Sequence, residues 1–199
     1  MKVLVIGASG TIGQAIVAAI SPQHEIITAN YKSGDLQVDL SDPKSIQTMF
    51  KKAGKLDAVI SAAGLASFAS LSDHTDNDYQ LALENKLMGQ INLLRYGREY
   101  INKGGSITLT SGILSRQPMP GSASISMVNG ALESYARAAA LELESLRFNI
   151  VAPAFVKETM ELMGMDSSYG ISAADTAKAY IAALEGDQHG ATLDVTDYI

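Results

Sequence analysis

Short apolar runs alternate with amphipathic stretches along the whole chain. The runs are rich in Val and Ile and are bounded by Gly, Ser or charged residues, which is typical of buried strands. The predicted strands are Val3–Ile6, Glu25–Ala29, Leu36–Val38, Ala58–Ile60, Ser106–Thr110, Phe148–Val151 and Thr192–Val195. The predicted helices are Thr11–Ile20, Pro43–Lys52, Asp76–Tyr100, Ala123–Leu146 and Ala173–Leu184. This alternation predicts an α/β protein with a parallel sheet covered by helices on both faces.

A glycine-rich segment joins the first predicted strand to the first predicted helix. It contains Gly7, Gly10 and Gly13, with Ser9, Thr11 and Ile12 between them. A buried strand that turns sharply into a helix presents free backbone N–H groups and the positive helix end to a pyrophosphate. The pattern therefore predicts one Rossmann-type domain over residues 1–199, with a doubly wound, mostly parallel seven-stranded sheet that binds a dinucleotide.

The end of the second predicted strand bears on the choice of cofactor. An NAD site usually has an acidic residue there for the ribose hydroxyls, whereas this chain has Asn30, Lys32 and Ser33. These side chains suit a 2′-phosphate, so NADP is predicted rather than NAD. Lys32 is alternatively a solvated loop lysine. Asp39, just beyond the third strand, either meets the adenine amino group or caps the following helix.

Composition excludes several classes of function. The chain contains no cysteine, which rules out disulfides, thiolate metal sites and a cysteine nucleophile. A net charge of −6 with scattered basic residues argues against nucleic acid as a partner. The three histidines are isolated in sequence, so no metal site is expected. No apolar run is long enough for a membrane span and the chain opens on a strand, which predicts a cytoplasmic protein with no membrane partner.

Several landmarks in order resemble the short-chain dehydrogenase/reductase family over almost the whole chain. They are GASGTIG at the first turn, VDLSD after the third strand, SAAG after the fourth, ITLTSG at the fifth and NIVAP at the sixth. The resemblance implies that Ala63, Gly64 and Pro153 lie beside the cofactor. It also implies a nicotinamide cofactor, a small carbonyl or alcohol substrate, and a homodimer or homotetramer. In related proteins the helix after Ser122 pairs across a two-fold axis, and its small residues here suit that pairing. They would equally suit burial of the helix against its own sheet.

The catalytic residues of the family are only partly present. The family pairs a Tyr with a Lys four residues later, and the matching positions here are Ile125 and Asn129. Ser111 matches the family's serine and either donates to a substrate carbonyl or bonds backbone. Lys86 stands where the family has an Asn; it either replaces the lost acid or is structural. Asn129 retains the capacity to hydrogen-bond the nicotinamide ribose.

Two functions follow from this mixture. The first is an NADP(H)-dependent oxidoreductase with a non-standard proton donor, in which Ser111, Lys86 and Asn129 form the catalytic group. The second is a dinucleotide-binding sensor or assembly protein that has lost the chemistry. The methionines Met160, Met163 and Met165 follow the sixth strand and suggest either a greasy substrate pocket or an oligomer contact.

Overall fold

The computed structural model describes residues 1–199 and contains one seven-stranded, fully parallel sheet with the strand order β3-β2-β1-β4-β5-β6-β7. The strands are β1 Lys2–Ile6, β2 Glu25–Asn30, β3 Leu36–Gln37, β4 Leu56–Ser61, β5 Ile101–Thr110, β6 Arg147–Ala152 and β7 Thr192–Asp194. The helices are α1 Thr11–Ile20, α2 Pro43–Ala53, α3 Asp76–Leu81, α4 Gly89–Gly97, α5 Ala123–Ala140, α6 Lys157–Leu162 and α7 Ala173–Glu185. The predicted fold class is confirmed. No helix is long and apolar enough to traverse a lipid bilayer.

Strand β1 shows how the sheet is buried on both faces. Val3 and Val5 belong to an apolar cluster with Ile16 of α1 and Tyr180 of α7. Leu4 and Ile6 point to the opposite face and join the larger cluster beneath α2, α4 and α5. All four β1 side chains are essentially inaccessible to solvent. Because successive strand residues alternate between faces, an unbroken apolar strand requires helices on both sides.

The predicted helix Asp76–Tyr100 is interrupted, which corrects the sequence-based boundary. After α3, residues Ala82–Met88 form a π-helical turn, in which the Gly89 N–H bonds the Glu84 carbonyl five residues earlier. Helix α4 follows, and a short 3₁₀ turn, Arg98–Tyr100, leads into β5. The wider turn accompanies a close approach of Gly89 to Leu40, whose Cβ and carbonyl oxygen would lie 2.8 Å from an added Cβ. Such single π turns are frequent at functional sites.

Three other differences from the predicted elements exceed two residues. Helix α5 ends at Ala140 rather than at 146, and the following turn carries acidic residues that oppose a helix C-terminus. Strand β5 begins at Ile101, five residues early, because Ile101 already pairs with Leu56 of β4 before an irregularity shifts the register ahead of the Ser106–Ala58 pair. Helix α6, Lys157–Leu162, was not predicted. It is too short for a periodic pattern to be recognised.

Candidate active site

The bend between β1 and α1 is held by two glycines in contact. Gly7 has a φ of +80°, and an added Cβ at Gly13 would lie 2.0 Å from the Gly7 carbonyl oxygen. No side chain therefore fits at Gly13, and the first turn of α1 rests directly on the end of β1. This contact directs the N-terminus of α1 at the carboxyl edge of the sheet, beside the crossover between β1 and β4.

The backbone amides of this bend are available to a ligand. The N–H groups of Thr11, Ile12 and Gly13 bond no acceptor in the chain, and Gly10 at the N-cap provides no side-chain cap. The Ser9 N–H is different, because it donates to Asn30 Oδ1 at 2.9 Å. Asn30 thus ties the bend to the end of β2. Free amides at the positive end of a ten-residue helix form an anion-binding site.

A cleft of about 590 Å³ opens on the β2 side of this bend. Among its walls are Gly7, Ser9, Gly10, Asn30, Tyr31, Ala63, Gly64 and Asn85. Lys32 and Ser33 do not line it; both side chains are exposed in the loop immediately after Tyr31. The Asp39 carboxylate also lies outside and accepts the Ser41 N–H at 2.8 Å, whereas the helix that follows is capped by Asp42, which accepts the Lys44 N–H.

A second cleft, of about 510 Å³, lies over the carboxyl ends of β4, β5 and β6 and shares Ala63 and Gly64 with the first. It brings together the predicted residues Ile12, Lys86, Ser111, Asn129 and Pro153. Most of its remaining wall is apolar: Phe68, Ile113, Leu114, Met119, Ile125, Phe155, Met160, Met163 and Met165. The methionines after β6 therefore line this cleft, with Met160 and its neighbours carried on or just beyond α6.

Lys86 is the only charged residue on the wall of the second cleft. Its side chain is nearly inaccessible, forms no ion pair, and has one long hydrogen bond, 3.4 Å from Nζ to the Ser111 carbonyl oxygen. Burial without a partner lowers the pKa of Lys86 to about 8. Gly64, with a φ of +135°, makes room for the lysine stem, since an added Cβ would lie 3.0 Å from Lys86 Cγ.

The Ser111 hydroxyl makes a contact that neither sequence-based alternative included. It donates to Glu133 Oε1 at 2.9 Å. The same oxygen accepts the Ser115 hydroxyl at 2.7 Å, and Oε2 accepts Arg116 Nη1 at 3.1 Å. Arg116 also pairs with Asp194 at the end of β7. Glu133 is thus a buried carboxylate with its charge and lone pairs satisfied.

Asn129 lies one helical turn before Glu133 and, in contrast to Glu133, is a buried polar group whose hydrogen bonds are not satisfied. It is 1% exposed and lines the second cleft, yet its carboxamide has no hydrogen-bond partner in the chain and Oδ1 is fully buried. A buried polar group without a partner is costly, and here it faces a cleft of ligand size. Ile125, one turn earlier, presents only an apolar side chain to the same cleft.

Two polar residues of the site escaped sequence analysis. Glu133 lies four residues beyond Asn129 on α5. This spacing places the two residues on the same face of the helix, so the sequence itself indicated that Glu133 is near the site. Asn85 accepts the Leu65 N–H at 2.9 Å and donates to Ser41 Oγ at 2.9 Å, so it joins two loops at the wall of the first cleft. Both Asn85 and Lys86 are buried because the π-helical turn widens the helix at this point.

Comparison with known proteins places the chain in a family. A family model described as enoyl-(acyl carrier protein) reductase matches residues 9–190, and the chain belongs to the short-chain dehydrogenase/reductase family of oxidoreductases. Versicolorin reductase stcU of Emericella nidulans is 28% identical in an alignment of 185 residues that covers 80% of this chain and 70% of that protein. The resemblance proposed from the sequence is confirmed.

Solved structures agree over almost the full length. The protein lin1944 from Listeria innocua has a TM-score of 0.94 and 38% identity, covering 98% of this chain and 99% of its own. A small-chain dehydrogenase in complex with NADPH has a TM-score of 0.87 and 27% identity, covering 98% and 95% of the two chains.

Proposed function

We propose that this protein binds NADP(H) and interconverts a small carbonyl compound and its alcohol, with Lys86 as the proton donor. The observation that carries the proposal is the position of Lys86. It is a buried ammonium without a counter-ion, on the wall of a mostly apolar cleft that shares Ala63 and Gly64 with the cleft beside the glycine-rich bend. The family's oxidoreductase relatives support the same class of reaction.

The residues present fit a nicotinamide dinucleotide. The free N–H groups of Thr11, Ile12 and Gly13 would hold the diphosphate. Asn129, whose buried carboxamide has no partner in the chain, would bind the hydroxyls of the nicotinamide ribose. Ala63, on the wall of both clefts, and Pro153, on the wall of the second, would flank the ring. When bound, this cofactor supplies or accepts the hydride.

The preference for NADP over NAD rests on charge at the end of β2. Asn30 ends the strand, and the nearest carboxylate, Asp35, is already bonded to the N–H and hydroxyl of Thr28 at 2.9 and 2.8 Å. No free acidic group therefore follows β2 to bind ribose hydroxyls, and the exposed ammonium of Lys32 is free to meet a 2′-phosphate.

The proton path follows from the same geometry. A carbonyl oxygen that accepts a hydrogen bond from Lys86 Nζ lies over Ser111, at the carboxyl end of β5. Lys86 donates its proton to that oxygen as the carbonyl carbon is reduced, and accepts it in the reverse direction. Its pKa of about 8 lies near neutral pH, where a general acid is most effective. The apolar wall excludes water and holds a largely apolar substrate.

A second candidate is a dinucleotide-binding protein without catalysis. Two points favour it: the sequence-based alignment puts Ile125 in place of the family's proton-donating tyrosine, and the Ser111 hydroxyl hydrogen is engaged by Glu133. Turnover separates the two candidates. NADPH consumption with a panel of ketones and aldehydes, followed at the nicotinamide absorbance band, supports the oxidoreductase, and Lys86→Met should lower that rate by about 10²–10⁴-fold. Tight binding of NADPH without consumption favours the binding protein.

The cofactor choice has its own test. Calorimetric titration should give tighter binding of NADPH than of NADH, and Lys32→Ala should weaken NADPH by about tenfold or more while NADH is unaffected. Lys103→Ala, at an exposed position of β5, is the matched control and should change neither affinity. Equal losses for the two cofactors in the Lys32 variant would contradict the NADP assignment.

The homodimer or homotetramer also stays a prediction, which sedimentation of the purified protein tests.

A further inference from the structure

Glu133 determines which way the Ser111 hydroxyl points. An ionised carboxylate accepts hydrogen bonds and donates none, so the hydrogen between Ser111 Oγ and Glu133 Oε1 belongs to the serine. Arg116 Nη1 donates to Oε2 at 3.1 Å, so the carboxylate forms an ion pair on its other oxygen. Ser111 has only one hydroxyl hydrogen, and it is directed away from the cleft. Ser111 lines the second cleft, so a ligand there that contacts Oγ meets a lone pair.

Lys86 Nζ and Ser111 Oγ therefore have opposite hydrogen-bonding roles toward a ligand. Lys86 Nζ donates, and it lies 3.4 Å from the carbonyl oxygen of Ser111 itself. Ser111 Oγ, on the same residue, accepts. Ile125 and Leu114 add no polar atom. A substrate matches this pair when it carries an acceptor and a donor on neighbouring atoms, whereas a simple ketone leaves the serine oxygen without a partner.

We infer that Glu133 is a positioning residue that fixes Ser111 as a hydrogen-bond acceptor, and that the cleft thereby selects hydroxycarbonyl compounds. The carbonyl oxygen of such a substrate accepts from Lys86, and its neighbouring hydroxyl donates to Ser111 Oγ. This inference rests on the proposed function for the chemistry of the cleft, and it adds the substrate class. Replacing the hydroxyl by a methoxy group sets two oxygen lone pairs against each other, which should weaken binding roughly tenfold to a hundredfold.

The test uses α-hydroxyacetophenone and α-methoxyacetophenone as a matched pair. Two quantities are measured on the full-length protein: the dissociation constant of each compound by calorimetry in the presence of NADP⁺, and kcat/KM with NADPH. We expect the hydroxy compound to be favoured at least tenfold in both. Ser111→Ala should reduce the ratio to about one. Ser115→Ala removes another donor to the same Glu133 oxygen without altering the cleft wall, and should leave the ratio unchanged.

Glu133→Gln separates positioning from a purely structural role. If Glu133 acts through Ser111, this variant should lower the ratio, and it should have no further effect on the ratio when Ser111 is already alanine. A structural role would reduce binding of both compounds equally. No preference for the hydroxy compound in the wild type, or a preference that survives Ser111→Ala, would overturn the inference; the Ser111 variant answers the question even if the Glu133 variant does not fold. Absence of turnover with an intact binding preference would count against the proposed function alone.

Discussion

Replacing Lys86 by methionine removes a buried ammonium while keeping most of the volume of the side chain. The wild-type group has no counter-ion and a single hydrogen bond to the Ser111 carbonyl oxygen. Its pKa is about 8, against an ordinary value of 10.5. At 1.36 kcal/mol for each pH unit, that difference corresponds to about 3 kcal/mol of destabilisation of the folded state at neutral pH.

Lys86→Met removes this destabilisation, but it also removes the hydrogen bond to Ser111, and this loss offsets part of the gain in stability. A bond of this length contributes about 1 kcal/mol at most, so Lys86→Met should raise the free energy of unfolding by about 2 kcal/mol at pH 7. For a domain of this size the midpoint of thermal unfolding should rise by roughly 4–8 °C. The same variant should lose most of its reductase activity, which is the expected trade-off when a functional group is buried at a cost in stability.

The pH dependence of the stability difference between the variant and the wild type tests whether burial of the Lys86 charge is its cause. Between about pH 8 and 10.5 the unfolded chain retains the Lys86 proton whereas the folded protein has lost it. Wild-type stability should therefore rise with pH through this window relative to the variant, and the advantage of the methionine variant should shrink. Below pH 8 both states are protonated and the advantage should be constant.

Urea denaturation followed by circular dichroism, at pH 7 and at pH 9.5, measures both effects. Lys103→Met, at an exposed strand position, is the control and should shift stability by no more than about 0.5 kcal/mol at either pH. A Lys86→Met protein that is less stable than the wild type at pH 7 would refute the reasoning. So would an advantage that is the same at the two pH values.

Three further predictions concern the cofactor cleft and the proton donor. The kcat for carbonyl reduction should fall as pH rises through about 8, because Lys86 must be protonated to donate, and alcohol oxidation should rise over the same range; flat profiles would contradict the assignment. Gly13→Ala should destabilise the fold by about 1–3 kcal/mol and abolish NADPH binding by calorimetry, since its Cβ would lie 2.0 Å from the Gly7 carbonyl oxygen. Asn129→Ala should weaken NADPH by about tenfold with little change in thermal unfolding, because the carboxamide has no partner in the protein; a large loss of stability with unchanged affinity would argue against the ribose contact.

Several features of the site were accessible from the amino-acid pattern because they are local. The glycine spacing at Gly7, Gly10 and Gly13 places a strand end, a tight turn and a helix start within a few residues of one another. The backbone geometry of such a segment depends on the absence of side chains, which the sequence states directly. The unbroken apolar run of β1 and the alternation of strands and helices are local in the same sense.

Other features depend on contacts between distant residues. The buried state of Lys86, and with it the lowered pKa, arises from the π-helical turn and from Gly64, which lies on a different element. The direction of the Ser111 hydroxyl is decided by Glu133, 22 residues later in the chain. The exposure of Lys32, outside the cleft wall, likewise depends on the path of the loop after β2.

The sequence by itself determined the class of fold and the glycine-rich bend between the first strand and the first helix, because each is written in residues that are close along the chain. Only the tertiary structure decided which charged side chains are buried at the cleft and which polar groups there donate or accept hydrogen bonds. Hydrogen-bond direction and charge burial are set by which side chains meet across elements, and the free energy of a charge depends on all its neighbours at once. For this reason Lys86 and Glu133, two charged side chains of ordinary appearance in the sequence, become the residues on which the proposed chemistry depends.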